Sequence, residues 1–144
     1  MDVGSVLREA QLQGLSGPSK NLSAFHAKPL VINAGASWCG PCREEMSSLE
    51  RLARHYGGKQ FKGIGISTDD YRERATGFLQ QSNTTFSNYI DSALFMENML
   101  GASKIPLTLL IDAQGRVLGK FYGAQQWDSP EVLEAIWKAL RVKM

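Results

Sequence analysis

The chain has 144 residues, which is about the size of a single domain. Its residues are 43% hydrophobic and 21% charged, as in an ordinary globular protein rather than a disordered one. Sixteen Lys and Arg against fourteen Asp and Glu leave a net charge of +2, which argues against nucleic acid binding because such binding needs a concentrated basic face. No run of about 18 consecutive apolar residues is present, so the sequence predicts no transmembrane helix.

The first predicted element is an extension at the start of the chain. Residues 6–22 alternate weakly in polarity and contain Gly14, Gly17 and Pro18, which indicates a short hairpin at the edge of a sheet. We therefore expect one domain over residues 1–144, of which residues 1–22 form this extension. The start of the chain does not have the charge and polarity pattern of a signal peptide. The domain is thus either a cytosolic protein or part of a longer precursor.

Apolar runs and helical spacing predict the remaining elements. In chain order they are a strand at 30–34, a helix at 42–56, a strand at 61–67, a helix carrying Ala75, Phe78 and Leu79, a strand at 86–90, a short helix at 92–100, strands at 107–111 and 117–122, and a helix opened by Ser129 and Pro130. The early strand–helix–strand alternation implies parallel strands, and the late hairpin adds an antiparallel part. The fold class is therefore α/β, with one mixed sheet and helices on both of its faces.

Two aromatic residues near the end of the chain are expected to pack in the interior. Trp127 precedes the last helix, and Trp137 lies within it. Buried aromatic side chains of this kind more often serve packing than recognition. The inner stripe of the last helix is predicted to consist of Leu133, Ile136, Trp137 and Leu140.

The two cysteines carry the main chemical signal. Cys39 and Cys42 stand between the first strong strand and the first strong helix, with two residues between them. At a helix N-terminus the free N–H groups and the helix dipole stabilise a thiolate, lowering a cysteine pKa from about 8.5 to about 3.5–7.5. We expect Cys39 to be exposed and to attack a substrate disulfide, after which Cys42 resolves the mixed disulfide.

Three other interpretations of the pair are open. The cysteines are half of a metal site if other ligands exist, but the chain has only His26 and His55 as histidines. A second interpretation is a structural disulfide, but the loop that it would close is small and would restrict the unfolded chain little. A third interpretation is a pair of inert buried thiols, but it does not explain the Trp before the pair and the Gly-Pro between the two cysteines. Redox catalysis is favoured because a C-x-x-C before a helix in a strand–helix–strand unit is a specific signal.

The pattern around the cysteines resembles the thioredoxin superfamily, and more closely its extracytoplasmic TlpA/ResA/CcmG-like branch. The resemblance covers residues 22–139 and rests on the segments LVIN at 30–33, ASWCGPCREEM at 36–46, GIGISTDD at 63–70, KIPLTLLID at 104–112 and GRV at 115–117. It implies a thioredoxin-like fold and a thiol–disulfide oxidoreductase activity. The segment between the second strand and Pro106 is longer than in a minimal thioredoxin, as is typical of this branch.

The resemblance also implies roles for residues beside the pair. Trp38 matches the aromatic residue that shapes the docking surface, and Pro106 matches a proline whose peptide bond after Ile105 is cis. That bond exposes the backbone of Ile105 for pairing with an extended substrate segment. Gly40 and Pro41 match the dipeptide of reducing thioredoxins, which favours reduction over oxidation.

The proton acceptor for the second cysteine is open at this stage. Asn33 stands where cytosolic thioredoxins carry a buried Asp, and an amide cannot act as a base. The branch often supplies a carboxylate from the loop after the second strand, where this chain has Thr68, Asp69 and Asp70. Either Asp69 or Asp70 serves in proton transfer, or both acids simply cap the next helix.

The resemblance implies no cofactor and no metal. It implies protein disulfides as substrates and an upstream electron donor such as a membrane thiol reductase, in cytochrome c maturation or in keeping exported cysteines reduced. The expected location is the bacterial periplasm, free or membrane-anchored, with the leader absent from this sequence; the alternative is the cytoplasm. We expect a monomer. The alternative function is a non-catalytic thioredoxin-fold docking or Cu(I)-handling module, since soft thiolates suit Cu(I).

Overall fold

The computed structural model describes residues 2–15, 17–26, 28–56, 60–91, 99, 101 and 104–140. Within these residues there are seven strands, one 3₁₀ turn and three α-helices. The strands are β1 Gln11–Gly14, β2 Lys20–Asn21, β3 Leu30–Gly35, β4 Lys62–Ser67, β5 Ser87–Ile90, β6 Leu107–Ile111 and β7 Val117–Tyr122. The helices are α1 Gly40–Tyr56, α2 Arg72–Gln81 and α3 Pro130–Leu140, and the 3₁₀ turn is Leu22–Phe25.

The strands form one mixed sheet in the order β2-β1-β5-β4-β3-β6-β7. β3, β4 and β5 run parallel, whereas β6 and β7 add an antiparallel pair on one side. On the other side β1 pairs antiparallel with both β2 and β5, so the N-terminal hairpin extends the sheet edge. The α/β class, the mixed sheet and this hairpin agree with the sequence prediction.

Two apolar cores lie on the two faces of the sheet, as the alternation of side chains along a strand requires. On β3, Val31 belongs to the core under the three helices, and Ile32 belongs to the opposite core with the 3₁₀ turn. The helix predicted at 92–100 lies outside the described residues except for Met99, which packs in this second core. No helix in the described part of the chain combines the length and the apolar character needed to span a membrane.

The last helix corrects one prediction. Trp127 is fully buried, as expected, but Trp137 is 42% exposed. Ile136 and Leu140 face the core with Leu133 packed partly against it, a spacing of three and four residues. Trp137 follows Ile136 directly and is therefore rotated by about 100° away from that stripe. The inner stripe thus excludes Trp137.

The start of α2 corrects the prediction that Asp69 and Asp70 cap this helix. The helix begins at Arg72, and the residue before it is Tyr71 in an extended conformation without a side-chain cap. Asp69 and Asp70 are therefore too early in the chain to cap α2. Asp69 instead accepts hydrogen bonds from residues beside the cysteine pair, and Asp70 is exposed.

Candidate active site

The cysteine pair lies between the carboxyl end of β3 and the start of α1. The helix begins at Gly40, earlier than predicted, so Cys42 falls within its first turn. Cys39 and Cys42 form a disulfide with their Cα atoms 5.2 Å apart. Cys39 is only 5% exposed, which corrects the expectation of an exposed residue. Its side chain is covered because the sulfur bonds to Cys42 and Ile105 packs against the pair.

The helix start provides a hydrogen-bond donor at the first sulfur. The backbone N–H of Cys42 is directed at Cys39 Sγ, with nitrogen and sulfur 3.2 Å apart. Gly40 and Pro41 occupy the first exposed positions of α1. An N–H group and a helix dipole placed in this way favour negative charge on a sulfur over the neutral thiol. The first turn of α1 is therefore suited to a thiolate at Cys39.

A second backbone segment lies against the same sulfur. The Ile105–Pro106 peptide bond is cis, as the resemblance implied. The carbonyl oxygen of Ile105 is 3.8 Å from Cys39 Sγ, and the carbonyl of Pro106 accepts a hydrogen bond from Gly123 N at 2.9 Å. Trp38, directly before the pair, is 66% exposed. The carbonyl oxygen of Ile105 thus lies near the disulfide, and an exposed tryptophan directly precedes the pair in the chain.

A buried carboxylate near the pair was missed in the sequence. Glu45 is 1% exposed and accepts a hydrogen bond from Asn33 Nδ2 at 2.8 Å. Its other oxygen accepts hydrogen bonds from the Trp127 indole at 2.9 Å and from Gln125 N at 3.2 Å. Burial raises the pKa of Glu45 above its ordinary value, although these three hydrogen bonds oppose the shift. A carboxyl group with a raised pKa is a better proton acceptor than an ordinary one.

The register of α1 on β3 relates this carboxylate to the second cysteine. Cys42 Sγ lies against Gly35, where an added Cβ would be 3.1 Å from the sulfur. Glu45 is bonded to Asn33, two residues earlier on the same face of β3 and thus about 7 Å away along the strand. A cavity of about 20 Å³ is lined by Asn33, Gly35 and Cys42, among others. That volume is large enough for one water molecule beside Asn33, Gly35 and Cys42.

The three residues predicted after the second strand occupy different positions. Thr68 N donates to the carbonyl of Gly35 at 2.9 Å. Asp69 is 1% exposed and accepts hydrogen bonds from Ser37 N at 3.0 Å, Ser37 Oγ at 2.6 Å and Ser67 Oγ at 2.7 Å. Asp70 is at the surface. Thr68 and Asp69 therefore fasten the turn before Cys39 to the end of β4.

The histidines lie elsewhere in the fold. His55 is in the last turn of α1, about 20 Å along the helix axis from Cys42, and His26 follows the 3₁₀ turn. The described residues contain no group of three or more His, Cys, Asp or Glu side chains that could hold a metal ion. The geometry therefore assigns the two sulfurs no third ligand of these types within that part of the chain.

Comparisons with known proteins agree with this geometry. The Redoxin family matches residues 2–136 of the chain. The chain is 26% identical to the thiol-disulfide oxidoreductase ResA of Bacillus thuringiensis subsp. konkukian over 125 residues, covering 87% of this chain and 72% of that protein. It is 32% identical to the thiol:disulfide interchange protein DsbE of Vibrio cholerae over 124 residues, covering 84% of this chain and 65% of that protein.

Solved structures give the same result for the fold. A crystal structure from Chlorobium tepidum, assigned as a thiol:disulfide interchange protein DsbE, superimposes with a TM-score of 0.87 at 26% identity. The match covers 96% of this chain and 98% of that one. A DsbF homologue from Corynebacterium diphtheriae has a TM-score of 0.76 at 27% identity, covering 91% of this chain and 86% of that one.

Proposed function

The chain belongs to the redoxin family, and on that premise we propose that this thiol–disulfide oxidoreductase reduces disulfides in other proteins through Cys39 and Cys42. The observation that carries the proposal is the bonded pair at the first turn of α1, with the carbonyl oxygen of Ile105 3.8 Å from Cys39 Sγ. A substrate disulfide placed along Ile105 meets the sulfur that the Cys42 N–H group favours as a thiolate.

The reaction begins with the reduced pair. The Cys39 thiolate attacks one sulfur of the substrate disulfide, forming a mixed disulfide and releasing the other substrate sulfur as a thiolate. Cys42 loses its proton and attacks Cys39 Sγ, which forms the intramolecular disulfide and releases the second substrate sulfur. Two electrons pass to the substrate, and the cysteine pair is oxidised. The pair gives up one proton, that of Cys42, and the released substrate thiolates take up protons from the solvent according to their own pKa values. Because the pair itself carries the electrons, the reaction needs no bound cofactor.

Glu45 is the group that we assign to accept the proton of Cys42. Glu45 is three residues after Cys42 on the same face of α1, and we place a connecting water in the cavity lined by Cys42, Gly35 and Asn33, the residue that donates to Glu45. Asp69 accepts hydrogen bonds from Ser37, in the turn before Cys39, and from Ser67, at the end of β4. Asp69, with Thr68, is therefore assigned to hold the turn before Cys39, and exposed Asp70 has no role in the transfer.

The direction and the location rest on the sequence resemblance. Gly40 and Pro41 match the dipeptide of reducing thioredoxins, which favours the reductase direction. The protein acts as a monomer in the bacterial periplasm, free or membrane-anchored, and receives electrons from a membrane thiol reductase. Cytochrome c maturation is one process in which such reduction is needed. Fusing the full-length gene to a reporter that is active only outside the cytoplasm tests the location, and an inactive fusion would favour the cytoplasm.

The reduction potential of the pair tests the direction. We would equilibrate the protein in glutathione buffers and follow tryptophan fluorescence and thiol alkylation. A potential near or below about −220 mV supports a reductase, because such a dithiol donates electrons to most protein disulfides. A potential near about −120 mV would instead identify an oxidant of exported proteins.

Single substitutions test the chemistry itself. Cys42→Ser should accumulate mixed disulfides between Cys39 and substrate proteins, because the resolving thiol is missing. Cys39→Ser is the matched control and should trap none. If Cys42→Ser traps nothing and both variants lose a bound Cu(I) ion that the unaltered protein holds, the pair belongs to a metal-handling module instead.

A further inference from the structure

An open groove lies beside Cys39. It is lined by Lys104, Ile105, Pro106, Tyr122 and Gly123, and its volume is about 670 Å³. This volume is within the range of about 300–1,000 Å³ that is typical of ligand sites. Ile105 forms one wall of the groove and also packs against the cysteine pair. A chain segment in the groove would therefore lie next to the reacting sulfur.

Another lining residue of the groove presents an exposed aromatic ring. Tyr122 is 55% exposed, although it ends a strand that pairs with β6. Lys120 lies two residues earlier on the same face of β7, and its Nζ is 5.2 Å from the centroid of the Tyr122 ring. The ring holds the ammonium group by a cation–π contact. The ammonium group of Lys120 therefore lies beside a ring that lines the groove.

The charges of the groove have one sign. Lys104 is exposed, and none of the five lining residues named above carries a carboxylate. Neither Lys104 nor Lys120 forms an ion pair with a carboxylate in the part of the chain that the structure describes. Two unpaired ammonium groups beside an apolar wall complement a segment that is apolar and acidic.

We propose that this groove binds the substrate segment that flanks the reacting cysteine, and that Lys104 and Lys120 select segments with an acidic side chain there. The inference rests on the proposed reductase function and adds a substrate class to it. An extended segment advances about 3.3 Å per residue, so the acidic side chain lies within about two residues of the substrate cysteine. Exposed ion pairs are weak, so the preference is about two- to fivefold in rate.

The test uses three synthetic peptides, each closed by one internal disulfide. They differ only in the residues that flank the cysteines, which are Glu, Gln or Lys. The protein is reduced, freed of reductant and mixed with each peptide, and its oxidation is followed by tryptophan fluorescence. Each rate constant is divided by that for dithiothreitol with the same peptide, because flanking charges alter the intrinsic reactivity of a disulfide.

We expect the Glu peptide to react about two- to fivefold faster than the Gln peptide, and the Lys peptide to react slowest. Lys104→Glu should abolish the preference for the Glu peptide, because one positive and one negative side chain then remain at the groove, and added salt should weaken the preference in the unaltered protein. Lys20→Glu is the matched control: Lys20 also lies over an aromatic ring, that of Phe25, but on β2 at the opposite edge of the sheet. It changes the net charge equally and should keep the order.

Two results separate the inference from the proposed function. If the unaltered protein reduces all three peptides at equal corrected rates, or Lys104→Glu keeps the original order, the groove does not select acidic segments. If the protein reduces none of them while dithiothreitol reduces all, the reductase function itself is wrong. Tyr122→Ala provides a second variant, which should slow all three reactions and reduce the Glu preference because Lys120 loses its contact.

Discussion

The indole Nε1 of Trp127 donates a hydrogen bond to the buried carboxylate of Glu45 at 2.9 Å. The two residues are 82 positions apart in the sequence, and the bond joins the active-site helix to the segment before α3. Gln125 N and Asn33 Nδ2 donate to the same carboxylate. Even so, burial outweighs these three donors, and the pKa of Glu45 is raised above 4.5.

The raised pKa of Glu45 predicts how stability changes with pH. A carboxyl group whose pKa is higher in the folded protein favours folding while it is protonated, and this contribution is lost as pH rises through the folded pKa. We expect the free energy of unfolding to fall as pH rises above 4.5 and through the raised folded pKa of Glu45, because Glu45 ionises over that window. Urea unfolding in pH steps measures this, and Glu45→Gln should remove the decrease. Parallel curves for the two proteins would contradict it.

Glu45→Gln should also separate the two steps of the redox reaction. The reduced protein is mixed with an aromatic disulfide reagent that releases a coloured thiolate, first when Cys39 attacks and again when Cys42 resolves. The first release should be unchanged, and the second should be slowed by about 10²-fold at neutral pH, the lower end of general base catalysis. Glu44→Gln, an exposed neighbour, is the control. Equal slowing of both releases would argue against a proton transfer role.

Asp69 and Asp70 provide a matched pair of neighbouring acids. Asp69→Ala leaves the Ser37 N–H group and two serine hydroxyls without their acceptor, so we expect a loss of about 1–3 kcal/mol in the free energy of unfolding. The turn before Cys39 also loosens, which should slow the attack of Cys39 on a disulfide. Asp70→Ala should change the free energy of unfolding by less than about 0.5 kcal/mol. Similar losses in both variants would contradict the assignment.

The sequence predicted well those features that depend on neighbouring residues. The strand before Cys39, the helix after it and the hairpin around Gly115 follow from local apolar patterns and turn chemistry. The cis bond at Pro106 was expected only from the resemblance, since composition says nothing about which prolines are cis. Family likeness therefore contributed what local physics could not.

The sequence did not reveal hydrogen bonds between residues that are distant from each other along the chain. Glu45 had one local signal: it is an acidic residue on the apolar stripe that Cys42, Met46 and Leu49 form on α1. Its partners Asn33 and Trp127 are 12 and 82 residues away and could not be found from spacing. Likewise, the position of Asp69 in the sequence suggested a helix cap, but α2 starts later, at Arg72. The carboxylate of Asp69 instead accepts a hydrogen bond from Ser37, in the turn before Cys39.

Glu50 predicts a pH effect of opposite sign to that of Glu45. Burial alone would raise its pKa, but hydrogen bonds from Thr85 and the ion pair with Arg54 at 2.7 Å together lower the pKa below 4.5. A lowered pKa stabilises the fold above that value, and the contribution is lost as pH falls through the folded pKa. Glu50→Gln should therefore cost about 1–2 kcal/mol at neutral pH and progressively less in acid. Urea unfolding along an acid series checks this; a loss independent of pH would contradict it.

Trp127 and Trp137 lie ten residues apart but should respond very differently to the same substitution. Trp127 is fully buried, stacks edge-on against Phe121 at 5.2 Å between ring centroids, and donates to Glu45. Trp127→Phe removes that donor and leaves a void, so we expect a loss of about 2–4 kcal/mol in the free energy of unfolding. Trp137 is 42% exposed, and Trp137→Phe should change it by less than about 0.5 kcal/mol. Urea unfolding of both variants measures these losses, and comparable losses would mean that Trp137 packs in the core.

Trp127→Phe should also change how stability depends on pH. Because this variant leaves Glu45 with one donor fewer, the pKa of Glu45 should rise further, which shifts the pH dependence of stability towards higher pH.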